Sequence, residues 1–417
     1  MRKSQFHAGK YASCLLAIIV DSLGFGLVYP LFADLLSPGS ASILSPDTSI
    51  QLRQLILSIG FMMYPLGLFF GTSYLGDLSD IVGRKKVLLI CMGGLFFSFL
   101  LMAIGASFKN LILLFLGRGL SGLTSGAQPI AQASIADLSE RENKTSNLAL
   151  MTITLSTGIV IGPLIGGFLS DKALSPLFTY STPFYFSAFL ALVAFIWSFA
   201  SFQETFRAKK KRQIHVLRFF YLFIEAFKHP LVRYLSILFI LKELGMSIYY
   251  PFIAVYLKTT FNATNWQVGL FYTILGIFMG LGILFTSKFL IRFFTTTTVS
   301  MMSFFLSGIG MLVTGLTKNL DVIWMMTILS GFAISCYNCL LAMYSNAVPK
   351  ESQGWVMGIA GASVSLSWIL TSYIANLISI FGFTFIFSLA ATFLLLGSVL
   401  HLPLKEKKHH ISFRFKF

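Results

Sequence analysis

The chain has 417 residues, of which 56% are hydrophobic and only 11% are charged, whereas soluble globular proteins carry about 25% charged residues. The mean hydropathy is +0.81, and phenylalanine alone accounts for 44 residues. This composition excludes a soluble enzyme, a disordered chain and a disulfide-stapled domain, and it is typical of a protein that crosses a membrane many times.

Long uncharged stretches predict the membrane spans in chain order. Seven windows without a charged residue are each long enough for one helix: 54–76, 87–108, 145–170, 173–203, 259–287, 293–317 and 322–349. The uncharged window 352–404 is long enough for two helices of about 20 residues with a turn between them. Three further spans carry isolated charges: 11–36, 110–136 and 231–257. The sequence therefore predicts twelve transmembrane helices, and no stretch shows the alternation of a transmembrane β-strand.

The basic residues predict the orientation of these helices. Most of the 31 Lys and Arg residues fall in the connections on one side and in the two termini, and by the positive-inside rule this side is cytoplasmic. The first apolar stretch is too long for a signal peptide, so we expect no cleavage. The charge distribution also argues against nucleic acid as a partner, because the basic residues follow the membrane topology.

The longest polar stretch divides the chain into two halves of six spans. We predict an N-terminal six-helix bundle over 1–202, a basic cytoplasmic central loop over 203–230, a C-terminal six-helix bundle over 231–403 and a basic cytoplasmic tail over 404–417. The run Lys209–Arg212 in the central loop is interpreted as a solvated segment resting on anionic lipid.

The two halves resemble each other in sequence. Helix one reads Gly24-Phe-Gly-Leu-Val-Tyr-Pro-Leu-Phe-Ala33 and helix seven reads Gly245-Met-Ser-Ile-Tyr-Tyr-Pro-Phe-Ile-Ala254, so that Gly, Tyr, Pro and Ala align about half a chain apart. Two parallel six-helix repeats are typical of transporters whose substrate site lies between the halves, near the middle of the bilayer.

The distribution of chemical side chains limits the functions that the chain can have. The six histidines lie in loops, tails or a span end: His7, His215, His229, His401, His409 and His410. Cys336-x-x-Cys339 has metal-like spacing, but it lies in an apolar helix without His or carboxylate neighbours, and we interpret it as packing. We therefore expect no metal site, and any proton chemistry inside the membrane has to use carboxylates.

Few charged side chains fall within the predicted spans. Asp21 lies well inside helix one, Arg118 inside helix four, and Lys242 and Glu243 near the middle of helix seven. An ionisable group at such a depth costs roughly 3 kcal/mol or more, and it is a functional candidate by default. Asp21, Arg118 and Glu243 are our candidates for proton coupling. The alternative is a static ion pair, in which Asp21 pairs with Arg118 and locks two helices together; Asp34, near the outer end of helix one, is left open as a further participant.

Two motifs follow in the first half. The connection after helix two reads Gly76-Asp-Leu-Ser-Asp80-Ile-Val-Gly83-Arg84-Lys85, in which glycines permit a tight turn and Asp80 can pair with a cation or with a helix N-terminus. Such a contact suits a gate, and a basic anchoring loop is the alternative.

Helix five contains the second motif, whose positions are Gly158, Gly162, Pro163, Gly166 and Gly167. These glycines allow close helix contacts and Pro163 interrupts the backbone hydrogen bonding. The alternative is generic small-residue packing.

These motifs resemble the signatures of the major facilitator superfamily. The Gly76–Lys85 segment is similar to its cytoplasmic gate motif, with Ile81 where a basic residue is common, and Leu114-x-x-x-Arg118 is similar to its helix-four motif, with Ser121 in place of a frequent Gln. The helix-five motif resembles that of antiporters. Helix one, Asp21-Ser-Leu-Gly-Phe-Gly-Leu-Val-Tyr-Pro30, is similar to that of the twelve-span drug:proton antiporters, of which the tetracycline-efflux type is the nearest.

The resemblance implies a fold and a mechanism. The expected fold is all-α, with twelve transmembrane helices in two pseudo-symmetric bundles that rock about a central cavity. The expected function is proton-coupled export of a small, partly apolar compound, and the alternative is a metabolite or siderophore transporter working in either direction. An integral membrane enzyme and a sensor without transport are less favoured. The resemblance further implies a monomer in a bacterial inner membrane, with protons, lipid and a small molecule as partners. No cofactor is expected beyond the proton gradient, since no nucleotide-binding motif is present.

Aromatic and charged side chains on helices one and seven are candidates for the cavity lining: Phe25, Tyr29, Lys242, Tyr249 and Tyr250. Aromatic rings bind apolar, planar or cationic compounds. In a chain with 44 phenylalanines, packing or contact with lipid is the alternative for each aromatic residue.

Overall fold

A computed structural model describes residues 8–37, 42–138, 144–205, 228–349, 353–407 and 410–413 of the chain. Within these described residues, the first half forms seven helices: α1 (Ala8–Leu36), α2 (Ile50–Val82), α3 (Arg84–Ser107), α4 (Leu111–Thr124), α5 (Ala127–Leu138), α6 (Lys144–Ser170) and α7 (Thr182–Ser201). The run Lys209–Arg212 of the predicted central loop lies outside the described residues.

The second half begins with two long helices, α8 (Pro230–Phe261) and α9 (Asn265–Phe285); the latter continues through a π-helical turn, Thr286–Leu290, into the short α10 (Ile291–Phe293). Five helices follow: α11 (Thr296–Leu316), α12 (Leu320–Ser330), α13 (Ala333–Ala347), α14 (Gln353–Ser372) and α15 (Ala375–Val399). The predicted tail begins with an antiparallel hairpin of β1 (Leu404–Lys407) and β2 (His410–Phe413), in which Leu404 pairs with Phe413.

The all-helical membrane fold predicted from the sequence is confirmed. Ten helical segments of the described residues are long and apolar enough to cross a membrane. The two further predicted spans are α4–α5, which is interrupted at Ser125 and Gly126, and α8, which carries Lys242 and Glu243. Large apolar side chains face outward on many helices, including Ile112, Phe189 and Ile380, as expected for surfaces that contact lipid.

The described helices group into two compact units. One contains Met1–Asp47, Met63–Val216 and Thr264–Leu270, and the other contains Thr48–Met62, Leu217–Ala263 and Phe271–Phe417. This division differs from the predicted boundaries at two short segments. The first turns of α9 belong to the first unit because the Gly269 backbone lies against Pro163, and the first turns of α2 belong to the second because Phe61 packs on Phe252 with ring centroids 5.8 Å apart.

Each unit repeats the same packing pattern. In the first, α1 packs on α6 and α7, and α3 packs on α4 and α7; in the second, α8 packs on α14 and α15, and α11 packs on α12, α13 and α15. The pair α4–α5 and the pair α12–α13 are each a span with a break, the second at Gly331. The internal repeat inferred from helices one and seven therefore extends to whole bundles.

Small residues of α6 allow it to lie directly against α1. A Cβ placed on Gly162 would lie 2.5 Å from the carbonyl oxygen of Leu23, and one on Gly158 would overlap the hydroxyl of Ser22. One turn further, a Cβ on Gly166 would lie 3.1 Å from the carbonyl oxygen of Leu27. Without side chains at these positions the two backbones approach closely, which is how small residues stabilise helix pairs in membranes.

Replacing Gly162 tests this contact. We expect Gly162→Val to destabilise the protein by about 1–3 kcal/mol, because the overpacked side chain forces α6 away from α1. The thermal midpoint of the purified protein in detergent measures the effect. Gly280→Ala is the matched control, since nothing lies within 4 Å of its Cβ position on α9, and it should be neutral or slightly stabilising. Equal midpoints for the two variants would contradict the close packing.

His401, just beyond the end of α15, joins that helix to α11. Its Nδ1 lies 2.7 Å from the carbonyl oxygen of Gly397, which can only accept, so Nδ1 carries the proton. Its Nε2 then accepts from the hydroxyl of Ser300 at 2.9 Å. The ring packs on Phe304 with centroids 5.0 Å apart. Burial lowers the pKa of His401 to about 4, so the imidazole is neutral in the folded protein.

This burial predicts a stability that depends on pH. Because the pKa of His401 is lower in the folded than in the unfolded chain, where it lies near 6.5, its neutral form contributes fully above about pH 6.5, and this contribution is lost as the pH falls toward 4. The maximum loss is about 3 kcal/mol. Thermal midpoints of wild type and His401→Gln, measured from pH 8 to pH 4.5, should converge at acidic pH. A difference that stays constant over this range would contradict the assignment.

Candidate functional site

Asp21, the carboxylate predicted to couple protons, lies in the middle of α1 and is 7% exposed. The hydroxyl of Ser125 donates to its Oδ1 at 2.5 Å, and the backbone N–H of Gln128 also hydrogen-bonds to the carboxylate. Ser125 lies in the break between α4 and α5, and Gln128 lies in the first turn of α5. The interruption thus directs a helix N-terminus, with its free N–H groups, toward the buried carboxylate.

A second hydroxyl continues this network. Tyr64 Oη lies 2.9 Å from Ser125 Oγ. Because the hydroxyl of Ser125 donates to Asp21 when the carboxylate is ionised, Tyr64 donates to Ser125. Tyr64, Ser125 and Asp21 therefore form a hydrogen-bonded relay, a chain of two hydrogen bonds from α2 to α1.

Arg118 does not pair directly with Asp21, so the ion pair considered from the sequence is absent. The guanidinium is fully buried and lies over the ring of Tyr64 at 4.4 Å and near the ring of Tyr29 at 5.5 Å. The aromatic faces provide cation–π stabilisation in place of a carboxylate. Arg118 and Asp21 thus flank Tyr64, one beside its ring and the other connected to its hydroxyl through Ser125.

In the second unit, Lys242 and Glu243 form a buried ion pair. Lys242 Nζ lies 2.7 Å from Glu243 Oε1, and the two residues are 4% and 3% exposed. The sequence did not require this contact, since neighbouring residues on a helix point about 100° apart, but the flexible Lys side chain bends back to the carboxylate. The structure therefore brings Glu243 together with Lys242 within the second unit.

The predicted cavity-lining aromatics occupy different environments. Phe25 is half-buried and packs on Tyr29 and Tyr64 with centroids 5.4 and 5.6 Å apart. Tyr249 is fully buried against Phe387, which fits a packing role. Tyr250 packs on Tyr272, whose hydroxyl donates to the Tyr250 carbonyl at 2.5 Å.

The predicted gate motif joins α2 to α3. Gly76 lies within α2 with nothing within 4 Å of its Cβ position, so this glycine does not form the turn. Gly83 does, with φ = 101°. Arg84 pairs with Asp80 at 2.9 Å and donates to Ser79 at 2.5 Å. Arg84 therefore provides the cation partner of Asp80, although Ile81 departs from the family pattern.

Glu204, which follows α7, caps this motif. Its carboxylate accepts from the backbone N–H of Arg84 at 2.8 Å and of Lys85 at 3.2 Å, at the N-terminus of α3. Lys85 Nζ in turn donates to the carbonyl oxygen of Phe199, in the last turn of α7, at 2.8 Å. A Cβ on Gly83 would lie 2.2 Å from Glu204 Oε2. Both the positive φ of residue 83 and the position of the Glu204 carboxylate therefore require glycine here.

Removal of this cap should weaken the gate motif. We expect Glu204→Ala to cost about 1 kcal/mol, since two N–H groups of α3 lose their acceptor, while Glu204→Gln retains part of the effect. The thermal midpoint and the transport rate of both variants provide the measurement. Asp321→Ala in the first turn of α12 serves as a control in which an acidic side chain is removed from a helix that Asn319 caps. If Glu204→Ala equals wild type in both measurements, Glu204 has no positioning role.

The antiporter-like motif has a further contact beyond α1. A Cβ on Gly167 would lie 2.3 Å from the carbonyl oxygen of Asn265, and the side-chain amide of Asn265 donates to Ser170 Oγ at 2.9 Å. Pro163 faces Gly26 on the other side, where a Cβ would lie 2.8 Å from the proline ring. Gly158, Gly162, Pro163, Gly166 and Gly167 are thus all at close backbone contacts.

Sequence reasoning missed Tyr64, Ser125 and Glu204. Ser125 precedes Gly126 within a predicted span, a pair that favours a helix break, and this was the one signal for it. Tyr64 and Glu204 contact residues that are distant in sequence, so no local sequence pattern marks them. Among the described residues, no group of three or more His, Cys, Asp or Glu side chains is arranged to hold a metal ion. Cys336 and Cys339 are both buried.

Comparison with known proteins identifies the family. A model of the Major Facilitator Superfamily matches residues 14–372, and it also matches residues 235–414. The chain belongs to the Major Facilitator Superfamily. This family and the fold are those of transporters, and with its many apolar helices the chain is a multi-pass membrane protein.

Relatives of this superfamily member include drug-resistance proteins. The chain is 30% identical to the class B tetracycline resistance protein of Escherichia coli, over 46% of its own length and 43% of that relative. It is also 30% identical to the quinolone resistance protein NorA of Staphylococcus aureus, over 43% of its length and 42% of that relative. The matched stretches thus span less than half of each relative.

Solved structures of this superfamily share the fold over nearly the whole chain. A D-xylose–proton symporter superimposes with a TM-score of 0.76 at 15% identity, covering 94% of this chain and 96% of the other.

Proposed function

We propose that this protein is a proton-coupled exporter of small, partly apolar compounds that works by alternating access. The single observation that carries the proposal is the buried hydrogen-bonded chain Tyr64–Ser125–Asp21, beside the buried cation Arg118. A carboxylate buried in a membrane helix with a hydroxyl chain leading to it is suited to take up and release a proton. The drug-resistance relatives support export.

In the proposed cycle, Asp21 takes up a proton through Tyr64 and Ser125. Protonation removes the negative charge that the Ser125 hydroxyl and the first turn of α5 stabilise, so the contact between α1 and the α4–α5 break weakens. This loosening favours the conformation that receives substrate. Substrate binding then favours release of the proton on the opposite side of the membrane, since each ligand shifts the same equilibrium in opposite directions.

Glu243 is a second proposed participant, since it is the one buried carboxylate among the described residues of the second unit. The proton gradient is the proposed energy source. A bacterial inner membrane with both termini in the cytoplasm is the proposed location, on the basis of the positive-inside distribution of Lys and Arg.

A metabolite transporter is the second candidate function. The specific observation in its favour is the structural similarity to the D-xylose–proton symporter, which has the same fold. At 15% identity this similarity extends to the fold alone, so we rank this function below export, which the drug-resistance relatives support.

Substitutions in the relay test the proposed function. In an efflux-deficient bacterial host, wild type should lower susceptibility to some members of a broad compound panel. Asp21→Asn should abolish this protection, because the amide cannot carry the proton. Ser125→Ala should weaken transport about tenfold, since a hydrogen bond to a charged group is worth about 1.5–3 kcal/mol. Membrane levels are matched by immunoblotting.

Ser121→Ala is the matched control on α4, because the hydroxyl of Ser121 donates to the carbonyl oxygen of Arg118 in its own helix and does not reach Asp21. It should protect like wild type. If Asp21→Asn protects as well as wild type, the coupling role passes to Glu243. If wild type protects against no compound, the metabolite transporter becomes the favoured function.

A further inference from the structure

The ion pair Lys242–Glu243 is unusual in that its two members are neighbours on one helix. Both lie near the middle of α8, nearly fully buried, and the Lys Nζ to Glu Oε1 distance is 2.7 Å. A pair between different helices can fix their packing, but a pair within one turn of one helix joins nothing by itself. Burial of both charges costs desolvation that apolar residues of similar size would avoid. Taken by itself, the pair is therefore weak evidence for a role in stability.

Aromatic side chains from two other helices surround the pair. Lys242 Nζ lies 5.0 Å from the ring centroid of Tyr337 on α13, and the indole Nε1 of Trp368 on α14 donates to Glu243 Oε2 at 3.3 Å. Trp368 also lies 6.3 Å from the ring of Tyr250, which packs on Tyr272 at 4.7 Å. Each charge thus has its own aromatic partner, and further rings extend the apolar surface beside them.

These two aromatic partners are where a ligand can approach. Tyr337 and Trp368 are both half-buried, whereas Lys242 and Glu243 beneath them are not accessible. Access to the two charges therefore requires the Tyr337 and Trp368 side chains to rotate.

We propose that this pair is a binding site for aromatic zwitterions, whose two charges exchange with those of Lys242 and Glu243. The inference rests on the proposed export function and names its substrate class. When the pair opens, the ligand anion contacts the Lys242 ammonium and the ligand cation contacts the Glu243 carboxylate, so every buried charge keeps a partner. A purely anionic or purely cationic ligand leaves one buried charge uncompensated, which is costly in an apolar bundle. The ligand's aromatic part stacks on Trp368 and Tyr337.

Matched ligands of three charge types test this site. The probes are three aromatic amino acids whose side chains contain one ring, two fused rings and three fused rings. Each is compared with its N-acetyl derivative, which is an anion, and with its methyl ester, which is a cation. Binding to the purified full-length protein in detergent is measured by competition and by calorimetry. Wild type should bind at least one zwitterion about tenfold or more tightly than both of its derivatives.

Single substitutions should change the preferred charge in opposite directions. Glu243→Gln leaves the ammonium alone and should bind the N-acetyl anion best, whereas Lys242→Met leaves the carboxylate alone and should bind the ester cation best. The exchanged pair Lys242→Glu with Glu243→Lys should keep the preference for the zwitterion. The double variant Lys242→Met with Glu243→Gln introduces no unpaired charge, and it should fold but lose discrimination among the three types. Lys258→Met, in the last turn of the same helix, is the control and should behave like wild type.

The outcomes separate this inference from the proposed function. It is overturned if wild type binds no zwitterion of the panel, or if the charge preference stays the same in Glu243→Gln and Lys242→Met. In either case the resistance assay with Asp21→Asn still decides whether the protein is a proton-coupled exporter. Conversely, loss of export with an intact charge preference would overturn the transport cycle and leave the binding site in place.

Discussion

The cost of placing charge inside an apolar helix bundle determines much of this structure. Asp21, Arg118, Lys242 and Glu243 are nearly fully buried, and each obtains a partner that a simple hydrophobic core does not provide. Asp21 obtains a serine hydroxyl and a helix N-terminus, Arg118 obtains two aromatic faces, and Lys242 and Glu243 obtain each other. Features that otherwise weaken a membrane helix, such as the α4–α5 break, are located where these charges require them.

The glycines of α6 determine the position of the Asp21 site in the first unit. Because α6 lies against α1 without intervening side chains, α1 is held along its length at Ile19, Leu23 and Leu27. Asp21 lies between the first two of these contacts, so its carboxylate faces the α4–α5 break and not α6. On the cytoplasmic side, by the proposed orientation, Glu204 fixes the start of α3 to the end of α7. In this structure, the α6 motif therefore serves close helix packing, and the motif between α2 and α3 is capped by Glu204.

Much of the fold could be predicted from the sequence, since uncharged windows mark membrane helices directly and the motifs of helices one to five are local patterns. The fourth span was predicted as one helix, because the apolar stretch is continuous and the Ser125–Gly126 pair is the one local signal that Ser125 leaves helical geometry. The role of Tyr64 could not be predicted, because its contact with Ser125 joins residues 61 positions apart. The Lys242–Glu243 contact depends on side-chain flexibility, which helical periodicity does not predict. The assignment of Asp21, Arg118 and Glu243 to proton coupling stays a prediction.

The aromatic surroundings of Arg118 have an electrical consequence. Tyrosine rings, unlike a carboxylate, cannot neutralise the guanidinium, so the group formed by Asp21 and Arg118 is neutral when Asp21 is ionised and carries a net charge of +1 when it is protonated. Moving one elementary charge through the membrane field is worth about 2.3 kcal/mol per 100 mV. In the proposed cycle, the membrane voltage therefore acts on the proton-loaded protein directly, in addition to the difference in pH, and exchange of a proton for a compound without net charge generates a current.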